Sequence, residues 1–277
     1  MLNFITWDVS REIFSIGPIV LRWYGLLFAS GFAIGYFIMQ KIFRKEGIKD
    51  EVLDRLTMYM VVSTVLGARL GHCLFYEPEY YLKHPLKILM IWEGGLASHG
   101  AAIGILLGLY FFSKNVSKRP YLWILDRIVI VVALGGACIR LGNLFNSEIY
   151  GKVTDVPWAF RFVMADGPNA APRHPTQIYE ALFCIALFLF LLWYYNKYVT
   201  QLKTGIIFSY FLIFLFAFRF FIEYLKAEQV EFEKGMSLNM GQWLSVPFVI
   251  VGILLLIKQS KTQPHNYLVT DPQKPTA

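Results

Sequence analysis

Runs of about 20 consecutive apolar residues dominate this chain, and a run of that length crosses the hydrocarbon core of a bilayer as an α-helix. The segment "YFLIFLFAFRFFIEYL" at 210–225 is representative. Backbone inside lipid has no water to bond, so such runs must satisfy their own amides as helices. The apolar pattern predicts about seven spans, near 19–40, 56–76, 96–113, 122–141, 178–195, 205–225 and 241–257. Hydrophobic residues make up 56% of the chain and charged residues only 16%, whereas a soluble domain carries about 25% charged residues. The expected fold class is an all-α integral membrane protein.

Cations between the spans give the orientation. Lys41, Arg44, Lys45, Lys49 and Arg55 crowd one connection, and Lys114, Lys118, Arg119 and Arg127 crowd another. The connections on the opposite side are longer and more sparsely charged, so the N-terminus is expected outside and the C-terminus in the cytoplasm. The net charge of +7 reads as this topology, not as a nucleic-acid surface. Two outside connections, 77–95 and 142–177, are too long to be simple turns. The aromatics in "VPWAFRFVM" predict a small packed extracytoplasmic head at 142–177, between helices four and five. One membrane-embedded domain is therefore expected over 1–260, followed by a disordered cytoplasmic tail at 261–277. Cys73, Cys138 and Cys184 lie inside apolar runs with no metal-ligand or disulfide spacing, and read as small buried hydrophobes. Gly31/Gly35, Gly67/Gly71 and Gly100/Gly104/Gly108 have the four-residue spacing of close helix packing.

Against this background a few ionisable residues stand out, because charge within a span is costly and points to function. They are Arg69 in "GARLGHCLFY", Arg140 in "ACIRLGNLFNSEIYG", Arg219 with Glu223 in "FRFFIEYLK", and His99 in "GGLASHGAAIG". Arg219 and Glu223 are one helical turn apart and can pair. Asn143 shares a helix face with Arg140, and Asn146 and Glu148 follow as that helix ends. His99 is placed near a helix N-terminus, where the dipole favours a neutral imidazole able to accept a proton. Three intramembrane arginines with few acids require an anionic partner, and arginine's planar fork suits a phospholipid phosphate. A lipid-phosphate site opening to the outer leaflet follows. These residues by themselves leave transport, binding and reaction all open.

The motifs taken together resemble the prolipoprotein diacylglyceryl transferase family. The likeness rests on "LRWYGLLF" (21–28), "GARLGHCLFY" (67–76), "WEGGLASHG" (92–100), "RLGNLFNSEIYG" (140–151), "RHPTQIYEA" (173–181), "FRFFIEY" (218–224) and "MGQWLSVP" (240–247), in order along nearly the whole chain. The stretch at 140–151 carries most of it. One departure is "KAEQVEFE" at 226–233, where family members often have an Arg-x-Pro-Asp-like turn. The resemblance implies a multi-pass enzyme of the bacterial plasma membrane. It would move the diacylglyceryl group of phosphatidylglycerol onto the lipobox cysteine of a preprolipoprotein signal peptide, releasing glycerol phosphate. Tyr24, His99, Arg140, Asn143, Glu148, Gly151, Arg219 and Glu223 would be the functional set.

On that implied reaction, His99 is expected to be the base, Arg140 and Arg219 the phosphate clamps, and Tyr24 a thiol-positioning group. Glu148 and Glu223 would hold the arginines, and Asn143 would donate to the head group. Arg69, Gln177 and Glu180 complete the expected substrate-binding residues. No cofactor or metal is implied, and the partners are phosphatidylglycerol, the lipoprotein precursor and membrane lipids. A phospholipid transporter or flippase is the alternative from another class, although the chain shows no internal repeat of the kind such proteins use.

Overall fold

The computed structural model describes residues 4–17, 19–91, 94–95, 97–227 and 237–268. The expected aromatic and acidic pair Trp92 and Glu93, most of the atypical stretch after Lys226, and residues 269–277 lie outside the described residues.

Long apolar helices form where the sequence predicts them. They are α1 (Trp23–Lys45), α2 (Asp50–Phe75), α4 (Ser98–Phe112), α5 (Tyr121–Phe145), α7 (Thr176–Tyr198), α8 (Ile206–Ile222) and α9 (Met240–Ser260). Among the described residues, six helical stretches are long and apolar enough to cross a membrane, and α8 is a shorter apolar helix of 17 residues. At 1.5 Å per residue, α8 extends about 26 Å. The protein is a multi-pass, helical membrane protein.

Two compact units divide the chain, one comprising 1–38 and 126–267, the other 39–125 and 268–277. Within the second unit, α2 and α4 pack through the glycines singled out above. A Cβ on Gly67 would lie 2.5 Å from the Gly100 carbonyl, and one on Gly71 would lie 2.5 Å from the Gly100 Cα. Backbone approach this close lets van der Waals contact drive association in lipid, where no hydrophobic effect separates helix from solvent. The connection from α2 to α4 holds a short helix, α3 (Pro78–Lys83), and a single 3₁₀ turn at Pro85–Leu89. In the first unit Gly31 and Gly35 face Cys138 and Val131 of α5 in the same manner, at ordinary contact distance.

The N-terminus departs from expectation. Residues 19–22 are not the start of a span. They form strand β3 (Ile19–Arg22), antiparallel to β2 (Glu12–Ile16), and the first helix begins at Trp23. Preceding them, β1 (Ile5–Trp7) runs parallel to β4 (Phe160–Phe162) of the expected head. A four-residue helix, α6 (Val163–Asp166), follows β4. The head thus borrows a strand from the other end of its unit. Its core is Leu144, Phe160 and Phe162, covered by Trp7, Tyr150 and Ile178, and the Trp7 indole donates to the Leu144 carbonyl at 3.1 Å.

The described part of the tail, through 268, lies against the chain. His265 bridges to Leu202, Tyr267 donates its backbone N–H to Val199 at 3.1 Å, and Arg127 lies 4.3 Å from the Tyr267 ring. Asp126, beside Arg127, caps the start of α8 by accepting from the Gly205 and Phe208 N–H groups. Tyr267 therefore closes over a buried ion pair that needs shielding from water.

Candidate active site

Charged residues at one end of the first unit form a linked series. Arg140, late in α5, places Nε 3.3 Å from Glu180 Oε2 of α7. The other oxygen of Glu180 lies 3.0 Å from Lys226 Nζ, which lies 3.0 Å from Glu223 Oε1. Arg219 stands one turn before Glu223, at 4.0 Å. Glu180, Glu223 and Lys226 are all buried. Buried charge is tolerated only when paired, and here each carboxylate has two cations within reach. Three cations to two anions leave the series one positive charge in excess. Arg140 and Arg219 both line a cavity of about 220 Å³, with Glu180, Cys184 and Phe218 among its walls. Glu180 Oε2 is buried without a hydrogen bond, because the Arg140 contact is off the N–H direction.

Residues 143–149 wind the outer end of α5 into a second polar cluster. Glu148 accepts from Asn143 Nδ2 at 2.7 Å and Asn146 Nδ2 at 3.1 Å. Asn143 Oδ1 in turn accepts from Arg140 Nη1 at 3.4 Å. The expected partnership of Glu148 with Arg140 is therefore indirect, through Asn143, and Glu180 is the carboxylate that meets the arginine. Ser147 and Ile149 flank Glu148 in the left-handed region, at φ 52° and 58°. Non-glycine residues, and a β-branched isoleucine above all, adopt it only when the surroundings enforce it, and such strain gathers at functional sites. Tyr24, in the first turn of α1, packs on Gly142, where a Cβ would come within 2.7 Å of its ring. Arg11, Arg22, Tyr24, Asn146 and Glu148 line a second, polar cavity of about 480 Å³.

The head supports this cluster from the side of α7. Gln177 donates to the Glu148 carbonyl at 2.7 Å, and Thr176 donates to the Ile149 carbonyl at 3.0 Å. Thr176 thus ties the first turn of α7 to the strained turn. Ser147 Oγ, Gln177 Oε1 and Glu180 Oε2 are buried without hydrogen-bond partners, and all three lie on these elements. Gly151 donates to the His174 carbonyl at 2.8 Å and bridges to Lys226. Burial lowers the His174 imidazole from its ordinary value, and its Nδ1 lies 3.3 Å from the Tyr179 hydroxyl. Burial, with a hydrogen bond to Asp166, raises the Tyr150 phenol. At the far end, Asn239 caps α9 reciprocally with Gln242 and donates to Glu223 Oε2 at 3.1 Å. Gly241 leaves room for that carboxylate, since a Cβ there would lie 2.6 Å from Glu223 Cδ.

Arg69 and His99 belong to the second unit. Arg69 is fully committed to its own loop. Its guanidinium donates to the carbonyls of Lys87, Ile88, Gly94 and Gly95, and lies 5.0 Å from the Tyr81 ring. Arg69, expected as a substrate-binding residue, thus sits in the second unit with its buried fork on four loop carbonyls. His99 is exposed in the first turn of α4. The residue that sequence reasoning missed is Lys226. Its signal is the three-residue spacing from Glu223, which puts both on one helical turn.

Comparison with known proteins gives the family. The family model for prolipoprotein diacylglyceryl transferase matches residues 11–258. A phosphatidylglycerol–prolipoprotein diacylglyceryl transferase of Chloroherpeton thalassium is 45% identical over 259 residues, covering 94% of this chain and 96% of that protein. The one from Tolumonas auensis is 48% identical over 255 residues, covering 92% and 97%. That of Porphyromonas gingivalis is 44% identical over 270 residues, covering 93% and 95%. Matches of this depth over nearly the full length of both partners leave no room for a shared fold alone: the chain belongs to the prolipoprotein diacylglyceryl transferase family.

Proposed function

We propose that the protein transfers the diacylglyceryl group of phosphatidylglycerol to the lipobox cysteine thiol of a prolipoprotein. The observation that carries the reading is the pair Arg140 and Arg219 on one small cavity, partly exposed ends of a series of three cations and two buried carboxylates. An anionic phosphodiester is the lipid group that such a cavity attracts. In the reaction the cysteine sulfur attacks the glycerol carbon next to the phosphate. The new carbon–sulfur bond is a thioether, the carbon–oxygen bond to phosphate breaks, and glycerol phosphate leaves with the electron pair. The thiol has a reference pKa of about 8.5, so a proton acceptor speeds the attack. We assign that role to His99, exposed in the first turn of α4. Guanidinium groups directed at the leaving phosphate stabilise charge that grows in the transition state, where electrostatic help counts most. The polar cluster of Tyr24, Asn143 and Glu148 is suited to the glycerol hydroxyls and the peptide. The names of the relatives support this reading and give none to a transporter.

Purified protein supplied with phosphatidylglycerol and a lipobox peptide is expected to release glycerol phosphate and a thioether-linked peptide. Replacing the peptide cysteine with serine should abolish both. Release at an undiminished rate without any thiol would make the protein a lipase and end this reading.

We further propose that the protein resides in the bacterial plasma membrane with its N-terminus outside. The cations of 41–55 and 114–127 support it. Reporter fusions in those two segments should report cytoplasm, and an external signal from either would reverse the orientation.

A further inference from the structure

Lys226 is the one member of the charge series without an expected role, and it stands at its centre. Its ammonium lies 3.0 Å from Glu180 and 3.0 Å from Glu223. Those carboxylates are the ones that contact Arg140 and Arg219, respectively. A single buried point charge thus ties together the supports of both arginines. The local backbone keeps it there. Lys226 follows the turn that ends α8, and the strand-like contacts of Gly151 with Lys226 and of Lys152 N–H with the Leu225 carbonyl (2.8 Å) hold it under the head.

We infer that Lys226 is a positioning residue, which fixes the separation and aim of Arg140 and Arg219 by bridging Glu180 and Glu223. The inference rests on the proposed transfer reaction and adds to it the element that sets the clamp. The charge count supports it. Without Lys226, the two arginines would be the only cations of the series left for two buried carboxylates, with the Asn239 amide on Glu223 beside them. Each guanidinium would then be drawn toward its own glutamate and away from an incoming phosphate. Lys226 supplies the charge that the carboxylates need, so the arginine N–H groups turned to the cavity stay available. The long contacts of Arg140 (3.3 Å) and Arg219 (4.0 Å), against the short contacts of Lys226, fit that division. Lys226 reaches no lining position of the arginine cavity among the described residues, so it acts through the arginines and not on the lipid.

The test uses the full-length protein in detergent with phosphatidylglycerol micelles. Lys226→Gln removes the charge and keeps a hydrogen-bond donor on a side chain one atom shorter. Misplacing the clamp by a fraction of its working distance is expected to lower kcat by up to roughly a hundredfold. Lys226→Arg, which keeps the charge, should restore most of the rate. A second readout does not depend on turnover: phosphatidylglycerol should raise the melting temperature of the wild-type protein, and that rise should shrink in Lys226→Gln. If the wild type shows the lipid-induced rise without thiol-dependent turnover, the reaction proposed above fails, while the lipid arm still decides the role of Lys226. A folded Lys226→Gln protein with turnover within threefold of wild type, or with the full lipid-induced rise, overturns the inference. Where Lys226→Gln does not fold, Lys226→Met, which keeps the apolar volume of the side chain and removes its charge, takes its place. A lysine that is only structural predicts a normal rate and a full lipid-induced rise in that protein; a lysine that sets the clamp predicts a slow rate and a smaller rise.

Discussion

Arg140→Lys is expected to slow thiol-dependent release of glycerol phosphate by about tenfold to a hundredfold, while leaving the protein folded. A charge-assisted hydrogen bond contributes about 1.5–3 kcal/mol, and lysine forfeits at least one of the two that a fork can offer a phosphate. The geometry sharpens the expectation. Arg140 spends Nε toward Glu180 and one terminal nitrogen toward Asn143. A lysine must choose among carboxylate, amide and lipid with a single nitrogen, and its shorter reach favours Glu180. The competing view of Arg140 as an interfacial anchor predicts a normal enzyme, since lysine snorkels as well as arginine. Rate and melting temperature measured on the same preparation decide between them. A stable Arg140→Lys protein with a rate near wild type would remove Arg140 from the chemistry.

Gly151→Ala is the second large effect, and here the methyl group has nowhere to go. Its Cβ would lie 2.6 Å from His174 Cβ, 2.7 Å from the Leu225 carbonyl oxygen and 2.8 Å from the His174 carbonyl oxygen. Two of those three neighbours are backbone atoms, which cannot rotate aside. Overpacking of this kind costs about 1–3 kcal/mol, and relief requires the 224–227 segment or the start of α7 to move. The first movement carries Lys226 away from Glu180 and Glu223; the second carries Gln177 and Thr176 away from the Glu148 turn. A shift near 1 Å at either place is expected to lower turnover by roughly a hundredfold, with a lower melting temperature. Activity and stability of Gly151→Ala close to wild type would show that this ladder yields freely and does not set the site.

The two cases divide differently between sequence and structure. Arg140 was legible from sequence because a charge inside an apolar run is conspicuous on any helix, whatever surrounds it. Gly151 was legible only through the family likeness, since a glycine in a polar loop has no physical signal until its neighbours are known. Asn239 and Gln242 form a cap of the kind that sequence spacing reveals, yet the role of Asn239 as a donor to Glu223 is a contact across 16 positions. Arg69 shows the reverse. It looked like part of the site, and its fork donates instead to four carbonyls of the irregular loop.

By itself the sequence determined that the chain crosses a membrane as helices, where those helices lie to within a few residues, and which glycines let α2 and α4 touch. These properties depend on hydrophobic length and on local spacing, and both are written in consecutive residues. The tertiary structure alone decided which charge meets which. The expected pair of Arg219 and Glu223, one turn apart, is the loosest contact of the series at 4.0 Å. The short contacts join Lys226 to Glu223 and, across α7, to Glu180. It also decided that the head borrows β1 from the N-terminus and that Tyr267 brings the tail back to the base of α8. The physical reason is the same in each instance. Periodicity reports which face of an element is apolar, but burying a charge or an unpaired strand creates a demand that any distant segment can meet, and only the assembled fold selects the one that does.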